Sequence, residues 1–346
     1  MSNPVVTVDP RVAKATRGST PNASKAKRAR RWRERLEVIG FTGPALLVFV
    51  LFVFVPIGYA IVLSLFDGTP TAPIRNFVGF QNFTEIFTTG RGETLGQPWF
   101  WNAVRNNFII AAMSLLIQGP IAIGVALLLN RKMKFRGFFR LMIFVPYVLS
   151  EVITGVIFSL MLSPQGALND WLTRLGFEQF TNFMWLMDTS AAPADAGFFS
   201  ILGSRTFWAM FAILTWKYVG LAIILFLAGL SGVPEELNEA AAIDGASWWQ
   251  TQRKITIPLL GPTIRIWAFL SLIGSFQLFD MVWILTGQQP GRTGLHTMAT
   301  FMVDQGMNRN RVGFGSAIAI VLFVITLIIA LTYQKFILSR DIGKES

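Results

Sequence analysis

Two long apolar runs are joined by the stretch Ser231-Gly-Val-Pro-Glu-Glu-Leu-Asn-Glu-Ala-Ala-Ala-Ile-Asp-Gly245-Ala-Ser-Trp-Trp-Gln-Thr-Gln-Arg-Lys-Ile-Thr-Ile-Pro258. Pro234 fits the first position of a helix, and Glu235 and Glu236 oppose the positive end of its dipole. Ala240 to Ile243 continue that helix, and Gly245 supplies a left-handed exit. Ser247 is placed to cap a second short helix through Lys254, which Pro258 should halt. The spacing predicts two short helices joined at a glycine and held against a membrane face. Trp248 and Trp249 suit the interface. Leu237 and the alanines leave a shallow apolar face with Glu239 beside it.

Outward from this loop, apolar runs recur in both directions. Of the 346 residues 53% are hydrophobic and 14% charged, whereas a soluble domain carries about 25% charged residues. A helix needs about 20 apolar residues to cross a hydrocarbon core about 30 Å thick. Six runs reach that length: 38–66, 108–129, 138–162, 206–230, 266–286 and 314–333. The expected fold is therefore an all-α integral membrane protein with six transmembrane helices. The run Phe198 to Leu202 is too short to cross and reads as a re-entrant or surface turn. Pro44, Pro56, Gly119-Pro120 and Pro146 fall inside spans, where neighbouring helices or water must satisfy the carbonyls they free.

The formal net charge is +11, and its distribution orients the chain. With the N-terminus inside, cytoplasmic segments hold 21 of the 30 Lys and Arg, and external loops hold 8. Acidic residues divide almost evenly between the faces, so the basic surplus lies on one side, as the positive-inside rule expects. Both termini then face the cytoplasm. Residues 1–37 carry ten basic and three acidic side chains among Pro, Ser, Thr and Ala, a composition that predicts a disordered basic cytoplasmic tail. Its one aromatic residue, Trp32, gives little for a nucleic acid to stack on, so no nucleic-acid partner is expected. The membrane domain runs over 38–336, with a cytoplasmic tail over 337–346.

Several chemistries are excluded outright. The chain has no Cys, and its single His is His296. Disulfides, thiolate metal sites and His-rich zinc sites are thus impossible, and no metal or catalytic constellation is expected. No Gly-x-x-x-x-Gly-Lys-Ser/Thr phosphate loop occurs, so any ATP chemistry must lie on another subunit. No repeat of 20–50 residues is visible, which leaves the inverted repeats of secondary transporters unsupported.

Glu239-Ala240-Ala241, three residues, Gly245, nine residues, then Ile255-Thr256-Ile257-Pro258 resembles the EAA loop of binding-protein-dependent ABC importer permeases. Ile257 stands where that pattern has Leu. Phe144-Val-Pro-Tyr-Val-Leu, Trp216-Lys217-Tyr218, Leu227-Ala-Gly-Leu-Ser-Gly-Val-Pro-Glu-Glu-Leu and Phe279-Asp280-Met-Val-Trp-Ile-Leu-Thr-Gly287 look like its carbohydrate-uptake branch. Gln288-Gln289 replace part of the glycine run usual after that threonine. The likeness covers roughly residues 38 to 336 and points to the maltose or glycerol-phosphate type, in its first permease subunit, with a type I importer fold.

This resemblance implies a set of partners and roles. They are a second homologous permease, an ATP-binding cassette ATPase dimer that binds ATP and Mg, an extracytoplasmic sugar-binding protein, and membrane lipid. The loop 231–258 would dock on the ATPase as a coupling helix. Glu239 would pair with a basic residue there, Ala240 and Ala241 would permit close approach, Gly245 would set the turn, and Ile255 and Pro258 would complete the motif. The function implied is uptake of a sugar or oligosaccharide. Glycerol phosphate, a polyol or another solute is the nearest alternative, ahead of an ion-coupled secondary transporter.

Glu151, Lys217 and Asp280 each fall about 20 Å into their spans at 1.5 Å per helical residue. Intramembrane charges at one depth imply mutual pairing or a shared wet cavity. One reading pairs Lys217 with Glu151 or Asp280 to lock the helices. The other lines a pathway, with sugar hydroxyls on Glu151, Gln277 or Asp280 and a ring on Trp216 or Trp283. Lys217 and Asp280 match positions common in the resembling family and suit the packing role. Glu151 departs from the usual small or apolar residue and is the better candidate for substrate choice.

Overall fold

The computed structural model describes residues 37–88, 100–131, 134–190 and 198–338. The expected disordered tail over 1–37 lies outside these except for Glu37, which opens a helix, and of the expected tail over 337–346 only residues 337 and 338 are described, in helix. The chain divides into two units, with the boundary between Tyr59 and Ala60. In the first unit lies most of helix α1 (Glu37–Leu63), which is apolar enough to cross a membrane. Its large side chains, Phe41 and Phe52 among them, are exposed almost throughout.

The second unit is helical apart from one hairpin. After α1 come antiparallel strands β1 (Phe66–Thr69) and β2 (Ala72–Phe77), then α2 (Gln81–Thr88). The buried Asn82 amide ties α2 to the hairpin, donating to the carbonyls of Ser64 at 2.8 Å and Phe66 at 3.0 Å. Next are α3 (Phe100–Leu129), α4 (Arg136–Val148), α5 (Glu151–Met161), the short α6 (Ala167–Arg174) and α7 (Arg205–Leu230). Helices α8 (Glu235–Ile243) and α9 (Trp248–Leu259) form the loop, followed by α10 (Gly261–Gln277), α11 (Asp280–Leu285), α12 (Met298–Val303) and α13 (Val312–Ile337).

Helices α1, α3, α7 and α13 are each long and apolar enough to cross alone. Two expected spans are not single helices. The run 138–162 breaks between α4 and α5 with a bend of 94°, and α9 meets α10 at 67°. The run 266–286 likewise ends at Gln277 and restarts at Asp280. Among the described residues there are thus four helices long and apolar enough to cross, or up to six when each bent pair counts as one span. The short run near 198 forms a single 3-10 turn, Ser200–Gly203, as its length required.

Packing centres on α3 and α7. Ala122 and Ala126 of α3 meet Ala222, Ile223 and Phe226 of α7, all buried. Gly220 lets α4 approach α7 closely, because a Cβ there would lie 2.2 Å from the Ile143 carbonyl oxygen. Ile110 of α3, Phe207 and Met210 of α7, and Met281 of α11 share a second cluster. Phe276 of α10, Phe301 of α12 and Phe314 of α13 belong to a third. The loop before α7 is pinned to that helix by Asp188, which accepts from the backbone of Arg205 at 2.8 Å and of Ser190 at 3.0 Å. Burial alone would raise that carboxyl, but these bonds and the Arg205 guanidinium hold it at about 2.

Three prolines share one accommodation. Pro56, Pro120 and Pro258 each follow a π-helical turn by two residues: Val50–Phe54, Ser114–Gln118 and Gln252–Thr256. A proline ring crowds the carbonyl four residues back. Here that carbonyl belongs in each case to the middle residue of the widened turn, where the ladder is displaced. Pro258 therefore does not halt the second loop helix, which runs on to Leu259. Pro146 has no such turn before it, and its span breaks three residues later.

Candidate functional site

The loop has the geometry its residues require. Helix α8 starts at Glu235, one residue after the position expected from Pro234. Gly245 adopts φ +76°, and the N–H groups of Gly245 and Ala246 bond to the carbonyls of Ala242 at 3.1 Å and Ala241 at 2.9 Å. That is the paired closure of a glycine-terminated helix. Ser247 and Gln250 cap α9 reciprocally. Ala241 is buried, whereas Glu239, Ala240, Gly245 and Pro258 are exposed and Ile255 is partly so. Ile243 stands 87% exposed on the same helix as Glu239. Trp248 lies under the Arg131 guanidinium at 4.0 Å, so a cation from the loop after α3 covers one of the two indoles.

The break between α4 and α5 is held from α7. Lys217, 2% exposed, donates through Nζ to the carbonyls of Leu149 and, at 3.5 Å, Tyr147. These are carbonyls left loose where the helix ends. Tyr218, the next residue, donates its hydroxyl proton to Oε1 of Glu151 at the first position of α5. Neighbouring residues of one unbroken helix thereby hold both ends of the break. Among the described residues no ion pair joins Lys217 to Glu151 or Asp280, and the ammonium is taken by backbone carbonyls instead. The depth argument missed this because it treated the third span as continuous.

The break between α10 and α11 is held by neutral groups. Asn107 of α3 donates to the Ser275 carbonyl at 2.7 Å and accepts from the Met298 N–H at 2.8 Å. Thr297 donates to the Leu278 carbonyl at 2.7 Å. Asn106 reaches the Gly294 and His296 carbonyls at 2.8 and 2.9 Å, which fastens the outer loop to α3. Asp280 opens α11 just as Glu151 opens α5, each carboxylate facing a positive helix end. Helices α11 and α5 pack together.

Beside the first break lies a cavity of about 430 Å³ between α3, α4, α7 and α10. Its polar wall is made by Ser114, Gln118, Tyr147, Tyr218, Ser271 and Ser275, with Trp267 as an aromatic face. Ser114 donates to Gln118 Oε1 at 2.7 Å and lies 2.7 Å from the Ser271 hydroxyl. Gln118 Nε2 donates to Thr215 at 3.2 Å, and Ser275 donates to the Ser271 carbonyl at 2.8 Å.

None of the six residues expected along a pathway lines this cavity. Trp216 is 43% exposed and sets its ring edge-on to Phe158 at 5.3 Å. Trp283 stacks on Phe279 at 5.5 Å, and Gln277 is exposed at the end of α10. Glu151 and Lys217 stand behind the wall. Ser114, Gln118, Ser271 and Ser275 carried a signal the reading passed over, being polar residues inside otherwise apolar runs. They are uncharged, and a search for intramembrane charges does not find them.

The sequence of residues 118–344 matches the family described as binding-protein-dependent transport system inner membrane component. The probable ABC transporter permease protein YurN of Bacillus subtilis is 32% identical over 86% of this chain and 94% of its own. The diacetylchitobiose uptake system permease protein NgcF of Streptomyces coelicolor is 31% identical over 84% of this chain and 79% of its own. The arabinooligosaccharides transport system permease protein AraP of Bacillus subtilis is 32% identical, covering 85% and 86%. The fold is shared with a bacterial ABC transporter involved in the import of the acidic polysaccharide alginate, at TM-score 0.71 and 22% identity over 89% of this chain and 97% of that one. With the apolar helices, the family match over residues 118–344 and relatives aligned over 79% or more of their own length, the chain belongs to the binding-protein-dependent transport system inner membrane components, as an ABC transporter permease.

Proposed function

We propose that this chain is the membrane-spanning permease subunit of an ATP-driven importer, and that its cargo is a sugar or oligosaccharide delivered by an extracytoplasmic binding protein. The observation that carries the cargo is the cavity wall of hydroxyls and a carboxamide beside an indole face, groups that bond hydroxyls and stack on a pyranose ring. Relatives named for diacetylchitobiose and arabinooligosaccharides support the same reading. Helices α4 and α5 count together as one crossing and α10 with α11 as another, which gives six spans with both termini in the cytoplasm, and the basic surplus favours that orientation.

The loop α8–α9 docks on a partner ATPase dimer that binds ATP and Mg. Glu239 supplies the orienting charge, the exposed Ala240 permits close approach, and Ala241, buried against the loop, braces the helix. Gly245 sets the turn, while Ile255 and Pro258 support it from α9. The exposed Ile243 adds apolar contact. A second permease completes the pathway. Glu151, Lys217 and Asp280 shape the two breaks beside the cavity, with Trp216, Gln277 and Trp283 on surfaces open to lipid, to the second permease or to cargo.

The test is Glu239→Lys in proteoliposomes holding the full transporter and its binding protein. Sugar-stimulated ATP hydrolysis should fall at least tenfold, about 1.4 kcal/mol of coupling. Unchanged hydrolysis and assembly would refute the docking role. Uptake by proteoliposomes containing this chain alone would refute the ATP-driven reading in favour of ion coupling.

A further inference from the structure

We infer that the cavity between α3, α4, α7 and α10 selects uncharged, hydroxyl-rich saccharides and rejects anionic ones such as uronates and sugar phosphates. The inference rests on the reading of this cavity as the sugar site and adds the charge of its ligand. No lining residue is charged. The nearest ammonium, Lys217, is buried and turned onto the Tyr147 and Leu149 carbonyls. It is therefore unavailable to a carboxylate or phosphate in the cavity. The charged residues at the two breaks are Glu151, Lys217 and Asp280, which leave one net negative charge beside the site.

The hydroxyl protons point the same way. A hydroxyl has one proton to give and lone pairs to receive with. Tyr218 gives its proton to Glu151, Ser114 to Gln118, and Ser275 to the Ser271 carbonyl. Ser114 has then no proton left for Ser271, so Ser271 must donate across their 2.7 Å contact. Four of the five hydroxyl oxygens of the wall are left as acceptors, and the fifth, that of Tyr147, keeps its proton. The donors left on lining residues are the Tyr147 hydroxyl, the second Gln118 N–H and the Trp267 indole N–H. A neutral sugar satisfies both sets, because each of its hydroxyls donates and accepts. A carboxylate or phosphate only accepts and would set its oxygens against those of the wall, in a region of low dielectric.

The test measures quenching of tryptophan fluorescence in the purified full transporter, this permease together with the second permease and the ATPase, in nanodiscs, with Trp267→Phe to identify the cavity signal. The neutral probes are glucose, maltose, cellobiose and trehalose; the anionic probes are glucuronate, digalacturonate and glucose 6-phosphate. At least one neutral probe should bind about tenfold or more tightly than every anionic probe, the size expected when buried acceptors go unpaired. Gln118→Lys, which puts a cation in the wall, should raise the affinity for digalacturonate about tenfold or more, and Ser271→Lys provides the same change from the opposite helix. Equal or tighter binding of the anionic probes to the unaltered chain would overturn the charge selection while leaving a sugar site. Absence of a Trp267-dependent response to any saccharide would overturn the sugar reading itself.

Discussion

In the third span a buried ammonium takes the carbonyls loosened at the break, whereas in the fifth a carboxamide and a hydroxyl do so. Lys217 holds Tyr147 and Leu149 from α7. Asn107 and Thr297 hold Ser275 and Leu278 from α3 and the outer loop. Both helices restart on an acid, Glu151 or Asp280. Only Glu151 has a direct hydrogen-bond partner among the described residues, Tyr218 of the cavity wall. The charged break is thereby linked to the cavity, and the neutral break is linked to the outer loop through Asn106, Asn107 and Thr297. The comparison teaches that one structural need, capping a helix end inside the membrane, can be coupled to different parts of the molecule by the choice of capping group.

The largest test of this contrast is Lys217→Met, which strands two carbonyls and leaves Glu151 without a nearby cation. A loss of about 3–5 kcal/mol is expected for two buried carbonyls that lose a charged donor, read as denaturant unfolding in detergent. Lys217→Arg should recover part of it, and a neutral outcome for Lys217→Met would mean the charge does not hold the break.

The second test is pH. His296 is buried in the outer loop, and burial depresses its imidazole to about 4. The unfolded chain takes up a proton near pH 6.5 and the folded one only near 4, so stability is full above 6.5 and declines as pH falls through this window. The total loss is about 3 kcal/mol at most. Hydrogen exchange should show residues 294–303 loosening first, while the Lys217 break keeps its protection. Loss of protection at the Lys217 break first would erase the distinction.

Asn107→Leu should destabilise by about 2 kcal/mol, because the Ser275 carbonyl and Met298 N–H lose their partner. Its effect should add to that of Lys217→Met, since the two sites share no partner. The smallest effect belongs to Tyr218→Phe, about 1.5 kcal/mol for one hydrogen bond to a carboxylate. That variant should weaken sugar binding as well, whereas Asn107→Leu should leave it within twofold.

Much of this architecture was legible in the residues. The apolar runs gave the approximate position of the four helices long enough to cross, since helix length is set by bilayer thickness. The turn of the loop was legible, because Gly245 and Ser247 act through local hydrogen bonds whose partners are near in sequence. Pro258 was misread for an instructive reason. Its effect depended on the π-helical turn before it, which no propensity of Gln252 to Thr256 announces. The breaks at Leu149 and Leu278 were equally hidden, because the residues that hold them, Lys217 and Asn107, lie 68 and 168 positions away from the carbonyls they cap.

By itself, then, the sequence determined that this chain lives in a membrane, which stretches are apolar enough to cross, and how the loop between the fourth and fifth runs turns. These follow from hydrophobic length, charge asymmetry and short-range capping, all of which are local. Only the tertiary structure decided where the spans break, that Lys217 serves backbone carbonyls instead of a carboxylate, and that Ser114, Gln118, Ser271 and Tyr218 meet around one cavity. In the bilayer a polar group must find its partner within the protein, and which partner it finds depends on how separate helices pack.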